Sequence, residues 1–227
     1  MEPDGLLWNF GCDPVAGVLR IYGITAAGVV DSFRQFEIAD LSPGHDFAIT
    51  KNHLVFALSP LALRMDRLAA GRPFGASVVW MPGRATRVLV IDKRSWTSRW
   101  YEFPPAIVFH LGNAWEDAEG VIRLDCMCGS DPRWMLNGWS LMGGEYEHVR
   151  GAVLTLVALK PGGGCSVSTV VSVEGDFPVV DPLRAGRRYR DIVCISRSAT
   201  RPAVLPVAQA ELSCALPVGL HGTFHAT

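Results

Sequence analysis

The chain has 227 residues, of which 49% are hydrophobic, enough to bury one sizeable core or two small ones. Its 21 basic and 22 acidic residues nearly balance, which excludes the strongly basic surface of a nucleic-acid-binding protein. No apolar run reaches about 18 residues and the acidic start lacks a signal-peptide pattern, so we expect a cytoplasmic protein with at most peripheral membrane contact.

Short strand-like segments fill the first half of the chain. A strand at residues 6–10 precedes a hairpin formed by residues 18–24 and 29–38, and another strand follows at residues 49–58. Residues 59–71 are the one helical candidate. The buried stripe of this helix would be Leu61, Leu63, Met65 and Leu68.

The second half repeats the pattern of short apolar runs between turn residues. The predicted strands are residues 77–81, 87–92, 100–103, 106–109, 121–126, 149–159, 166–173 and 189–196. Turn signals at intervals of about ten residues are typical of all-β proteins. We therefore expect a propeller, a barrel or a sandwich.

The six cysteines include one close pair, Cys126 and Cys128. This spacing is not the C-x-x-C of zinc or redox sites. From the alternation of side chains along a strand, we expect the two thiols to point to opposite faces and not to converge. We interpret the cysteines as buried thiols of a reducing compartment.

Three histidines share a local pattern: His45, His110 and His221 each have an apolar neighbour on one side and a polar or glycine-containing turn on the other. We expect each at the end of a strand. Their wide spacing excludes a motif carried by one helix. Imidazole ligands suit Fe(II), Zn(II) or Cu(II). For any single one of them, a hydrogen-bonded core or turn histidine is the simpler interpretation.

Three carboxylates are candidates for orienting a ligand imidazole: Asp46, Glu116 and Asp176. Each has an alternative role in capping or forming a turn. The basic residues that follow Asp181 predict a solvated, salt-bridged loop; they are Arg184, Arg187, Arg188 and Arg190.

Residues 45–50, 109–116 and 220–222 resemble motifs of the carotenoid cleavage oxygenase family, which includes apocarotenoid and lignostilbene dioxygenases. Residues 8–11 and 176–187 resemble further segments of the family, in the same order along the chain. The resemblance covers most of the chain.

The resemblance implies an all-β fold, here part of a seven-bladed β-propeller, with residues 1–227 forming one incomplete domain. It implies an Fe(II) ion held by four histidines, with His45, His110 and His221 as the second, third and fourth ligands. The implied reaction splits an alkene bond of an apocarotenoid or stilbene with O2 to give two carbonyl products. Asp46, Glu116 and Asp176 would support the ligands, and Phe47, Phe109 and Trp115 would border the substrate.

The chain also departs from the family pattern. The first histidine ligand and the first blades would precede residue 1, and the family segment after about residue 196 is shorter here. The carboxylate at position 176 is usually Glu, and the shorter Asp176 argues against contact with a ligand imidazole. A catalytically inactive relative or a β-propeller binding module is therefore the alternative to an active dioxygenase.

Overall fold

The structure, a computed structural model, describes residues 5–133, 135 and 150–196, without the side chains of residues 171–173 and 196. The chain divides into two compact units. Unit 1 comprises Met1–Phe47 and Asn52–Ala106, and unit 2 comprises Ala48–Lys51 and Ile107–Thr227. Within the described part of the chain, no helix has the length and apolar character needed to cross a membrane. The expectation that residues 1–227 form one domain stays a prediction.

Unit 1 begins with an antiparallel meander of β1 (Leu7–Asp13), β2 (Val18–Ile24) and β3 (Val30–Glu37). The central strand β2 buries Leu19 and Ile21, which its alternating sequence places on the same face. The predicted hairpin of β2 and β3 is confirmed, because the two strands pair from Val18 with Glu37 to Ile24 with Val30.

The core of unit 1 lies on β5 (His53–Leu58), β8 (Thr86–Asp92) and β9 (Ser98–Phe103), which pair antiparallel in that order. The middle of β5 and β8 is buried on both faces, as their continuous apolar sequences require. The segment predicted as a strand at residues 49–58, with a bend near residues 52–53, is two strands, since a bend at residues 51–52 separates β4 (Ala48–Ile49) from β5.

The helix predicted at residues 59–71 is much shorter than expected. Only α1 (Met65–Ala69) is helical there, and none of its residues is buried. Leu61 and Leu63 lie instead in a strand, β6 (Leu61–Leu63). This strand pairs with β7 (Val78–Trp80), which follows the one-turn helix α2 (Phe74–Ser77) in the chain. The predicted buried stripe was wrong, because strand pairing and not a helical face buries Leu61.

Unit 2 is an antiparallel sheet of β10 (Ile107–Glu116), β11 (Ile122–Gly129), β12 (Val153–Leu159), β13 (Cys165–Val179) and β14 (Val193–Ser196), in that order. A short 3-10 helix, η1 (Pro182–Arg184), lies between the last two strands. Short strands therefore dominate both units, and the all-β prediction is confirmed.

The prediction for the cysteine pair was wrong. Cys126 and Cys128 both lie on β11, and their Sγ atoms are 3.6 Å apart. Residues two apart on a strand share a face, and only adjacent residues point to opposite faces. The two thiols therefore converge.

Candidate metal centre

His110 is a buried polar residue in the interior of unit 2, with 4% of its surface exposed. It lies in the middle of β10 and not at a strand end, so the turn predicted after it was wrong. The pairing of β10 with β11 shifts register between Val108 and Leu111 and again between Leu111 and Asn113. These irregularities, which bend a strand and re-aim its side chains, are found next to active sites.

Asp176 contacts His110 directly, although 66 residues separate them: its Oδ1 lies 2.9 Å from Nδ1 of the imidazole. The carboxylate of Asp176, one methylene shorter than the Glu usual in the family, therefore reaches the imidazole. The backbone supplies the missing length, because β13 shifts register between Asp176 and Val179. Phe177 within this shift has a φ of 55°, a left-handed conformation that bulky residues rarely adopt.

The contact decides which imidazole nitrogen would bind a metal. An ionised carboxylate only accepts hydrogen bonds, so Nδ1 of His110 carries a hydrogen and donates a hydrogen bond to Oδ1 of Asp176. Metal-ligating histidines commonly donate one N–H to a carboxylate in this way. Nε2, which is itself buried, is then the nitrogen that would face a metal.

Two aromatic rings flank the imidazole. The Phe109 ring centroid lies 4.7 Å from that of His110, edge to face, and the Phe177 centroid lies 4.6 Å away at an interplanar angle of 32°. Phe109 was predicted to border the site and Phe177 was not. The rings leave little room for water around His110, which strengthens its hydrogen bond to Asp176.

The other predicted carboxylates have different contacts. Asp46, in unit 1, accepts a hydrogen bond through Oδ1 from the backbone N–H of Phe47, 2.8 Å away. Glu116, at the far end of β10, accepts a short hydrogen bond from the hydroxyl of Thr50 within unit 2. Their role beside a ligand histidine stays a prediction.

The structure does not test the remaining two predicted ligands. His45 is exposed and belongs to unit 1, and His221 lies outside the described residues. In the described part of the chain, no group of three or more His, Cys, Asp or Glu side chains is placed to hold a metal ion. The three-histidine ligand set is therefore still a prediction.

Phe47 and Trp115, the other predicted substrate neighbours, have protein partners. Phe47 stacks on Phe56 at 5.3 Å and meets Phe10 edge to face at the same distance, all within unit 1. In unit 2, the guanidinium of Arg188 lies 5.6 Å from the centre of the Trp115 ring. These contacts give both rings a packing role.

The motif residue Asn113 fastens the loop after η1 to β10. Its Nδ2 donates to the carbonyl oxygens of Arg184, at 3.2 Å, and Arg187, at 3.0 Å. Its Oδ1 accepts from the N–H of Gly186 at 2.9 Å. The arginine side chains are exposed as predicted, but the loop is anchored through its backbone to a buried amide.

A second anchor, which the sequence did not reveal, joins this region to β11. The fully buried Asp125 accepts from the N–H of Asn113 through Oδ2, at 3.1 Å, and from the hydroxyl of Tyr189 through Oδ1. Burial raises the pKa of Asp125 to about 6 despite these bonds. Burial and the nearby Asp125 also raise the pKa of Tyr189, so its hydroxyl keeps the proton that it donates.

The sequence is similar to a known protein family and to characterised proteins. Residues 1–205 match the family model described as retinal pigment epithelial membrane protein. The isoeugenol monooxygenase of Pseudomonas putida is 34% identical over 127 residues, covering 48% of this chain and 26% of that protein. The carotenoid 9,10(9',10')-cleavage dioxygenase 1 of Pisum sativum is 28% identical over 198 residues, covering 82% of this chain and 34% of that protein.

A solved structure shares the fold. The cobalt-substituted apocarotenoid oxygenase of Synechocystis superposes with a TM-score of 0.69 and 20% sequence identity, covering 82% of this chain and 39% of that one. The chain thus spans about a quarter to a third of the length of these two curated relatives. The match over residues 1–205 shows that the chain belongs to the retinal pigment epithelial membrane protein family, that of the carotenoid cleavage oxygenases.

Proposed function

We propose that this chain is part of a non-haem Fe(II) dioxygenase that splits an alkene bond of an apocarotenoid or stilbene with O2, giving two carbonyl products. The observation that carries the proposal is the buried His110 imidazole held by Asp176 at 2.9 Å. Relatives named as carotenoid cleavage dioxygenases support the reaction class. The same proposal includes a partial seven-bladed propeller and a cytoplasmic location.

The residues present suit an iron ion with imidazole ligands. Nε2 of His110 would be one ligand, and the family motifs make His45 and His221 the other two within this chain. A bound Fe(II) would supply the redox chemistry that O2 needs to react with an alkene. Imidazole is a suitable donor for this metal.

The chain's own side chains would prepare the site. Asp176 fixes the orientation and the tautomer of the His110 ring by accepting a hydrogen bond from Nδ1, which leaves Nε2 to bind the metal. Phe109 and Phe177 keep water away from the ring, as a site for an apolar substrate requires. Asn113 holds the loop that continues from β13, the strand that carries Asp176.

Metal binding tests the proposal without depending on turnover. The full chain is loaded anaerobically with Fe(II), desalted and analysed for iron alongside His110→Ala, Asp176→Asn and the control His53→Ala. His53 is a half-buried histidine in β5 of unit 1 that is no predicted ligand. We expect about one iron per chain in the wild type and in the control, and none in His110→Ala. Asp176→Asn should weaken binding by about 10–100-fold.

The outcomes separate the two candidate functions. Equal iron in His110→Ala and the wild type would refute the assignment of His110 as a ligand. No iron in a wild-type chain with the circular dichroism of a β-protein would favour the inactive relative or binding module. If iron binds, conversion of a stilbene and an apocarotenoid to carbonyl products under O2 is the next measurement.

A further inference from the structure

Cys126 and Cys128 form a close dithiol on β11, and neither residue is assigned to the metal centre. Their Sγ atoms lie 3.6 Å apart, within hydrogen-bonding distance for sulfur. Cys126 is fully buried, whereas Cys128 is only partly buried. The two thiols therefore differ in their access to solvent while remaining in contact.

Thr155 of the neighbouring strand β12 contacts the buried thiol. Cys126 pairs with Thr155 across the sheet, and its Sγ lies 3.8 Å from the carbonyl oxygen of that residue. The Thr155 hydroxyl donates a hydrogen bond to the carbonyl oxygen of Val153, the residue that pairs with Cys128. Backbone pairing on both sides of β11 fixes the position of the pair, since Cys126 also opposes Leu111 of β10.

The environment makes the two thiols chemically unequal. The hydrogen bond from Cys126 lowers the pKa of the Cys128 thiol, and the nearby Thr155 side chain acts in the same direction. The same contact and burial raise the pKa of Cys126. The thiolate is the nucleophilic form of cysteine, so the partly exposed Cys128 is the more reactive thiol. Cys126 is the adjacent protonated thiol.

We propose that Cys126 and Cys128 are a reversible redox pair, which a peroxide converts to an intramolecular disulfide. The Cys128 thiolate attacks one peroxide oxygen, the O–O bond breaks, and the departing hydroxide takes a proton to become water. The sulfur of Cys126 then attacks the Cys128 sulfenic acid, the S–O bond breaks, and a second water leaves. Two thiols lose two electrons and two protons, and one peroxide becomes two waters.

The strand geometry favours a bond that is readily reduced. Residues two apart on a strand hold their Cα atoms about 6.6 Å apart, near the upper limit of about 6.8 Å for disulfides. Closing the S–S bond to about 2.0 Å would therefore bend β11. Strained disulfides are the labile ones, so a thiol reductant should reopen the pair.

The test uses the full chain and hydrogen peroxide. The treated chain is blocked with N-ethylmaleimide under denaturing conditions and digested with trypsin, which cleaves after Arg123 and Arg133. The resulting peptide, residues 124–133, contains Cys126 and Cys128 and no third cysteine. We expect it two hydrogen masses lighter than the reduced form, unalkylated, and restored by dithiothreitol. Alkylation of both cysteines, as in the untreated chain, would overturn the proposal.

Two variants test the separate roles. In Cys126→Ser, dimedone should trap a sulfenic acid at Cys128, and in Cys128→Ser, Cys126 should stay reduced at the same dose. Equal reactivity of the two single variants would overturn the assignment of Cys128 as the nucleophile. Cys165, whose thiol pKa is raised by burial, is the matched control and should stay reduced. Oxidation of Met127 adds an oxygen mass and is distinguished from the disulfide.

Discussion

Replacing Asn113 by alanine removes three hydrogen bonds that hold the loop after η1 against β10. The side chain is 4% exposed, and its partners are the carbonyl oxygens of Arg184 and Arg187 and the N–H of Gly186. Each such bond contributes about 0.5–1.5 kcal/mol net, and a buried donor left without an acceptor costs about 1–3 kcal/mol. We therefore expect Asn113→Ala to lower the free energy of unfolding by about 2–4 kcal/mol.

Urea unfolding followed by circular dichroism measures this loss. The matched control is Arg184→Ala, because Asn113 contacts the backbone carbonyl of Arg184 while the arginine side chain is exposed. The control should change the free energy of unfolding by less than about 0.5 kcal/mol. In native-state hydrogen exchange, the Gly186 amide should lose protection in Asn113→Ala only.

A loss in Arg184→Ala as large as that in Asn113→Ala would show that the arginine side chain, and not the buried amide, holds the loop. Unchanged protection of the Gly186 amide in Asn113→Ala would equally refute the reasoning.

Three further predictions concern buried groups. The folded-state pKa of Asp125 is raised from 3.8 to about 6, so between these pH values the folded chain keeps a proton that the unfolded chain has lost. As the pH rises through this window, ionisation of Asp125 should lower the free energy of unfolding by about 3 kcal/mol. Urea titrations at several pH values measure this loss, and Asp125→Asn should remove it. Gly112→Ala should cost about 1–3 kcal/mol in the same assay, because the new Cβ would overlap the Asp125 carboxylate and lie 2.9 Å from Cδ1 of Ile192. Phe47→Ala should cost about 2 kcal/mol, because Phe47 loses its contacts with Phe10 and Phe56.

Each of these predictions has its own control. An unchanged pH profile in Asp125→Asn would show that this carboxyl group does not titrate in the window. Gly83→Ala is the comparison for Gly112, since a Cβ at Gly83 meets no atom within 4 Å, and equal costs at the two positions would remove the steric argument. A Phe47→Ala chain as stable as the wild type would contradict the packing role of Phe47 and favour its role as a substrate neighbour.

The sequence by itself determined the fold class and the family. Alternating and continuous apolar runs indicated most of the strands, since side-chain periodicity is a local property that a single segment displays. The motif around His110 and Asn113 and the segment around Asp176 sufficed for the family resemblance, which the match over residues 1–205 confirmed. The hairpin of β2 and β3 was predicted for the same local reason.

Local patterns failed where pairing between strands overrides them. The sequence predicted a turn after His110, in the segment that contains Asn113. The buried amide of Asn113 is instead satisfied by a loop more than 70 residues away, and β10 continues to Glu116. Leu61 and Leu63 fitted a helical stripe, but β7 is available to pair with them. In both cases the partner that stabilises the segment is distant in the chain, and no local pattern reveals it.

Only the tertiary structure decided which side chains meet. The shorter Asp176 reaches His110 because β13 shifts register beside it, and a bulge of this kind depends on the pairing with β14. Asp125 and Tyr189 meet for a similar reason, since β11 and the loop before β14 bring together residues that are 64 apart. Sequence fixes which groups are present, but a hydrogen bond depends on distances of a few tenths of an ångström, and those are set by the packing of the whole sheet.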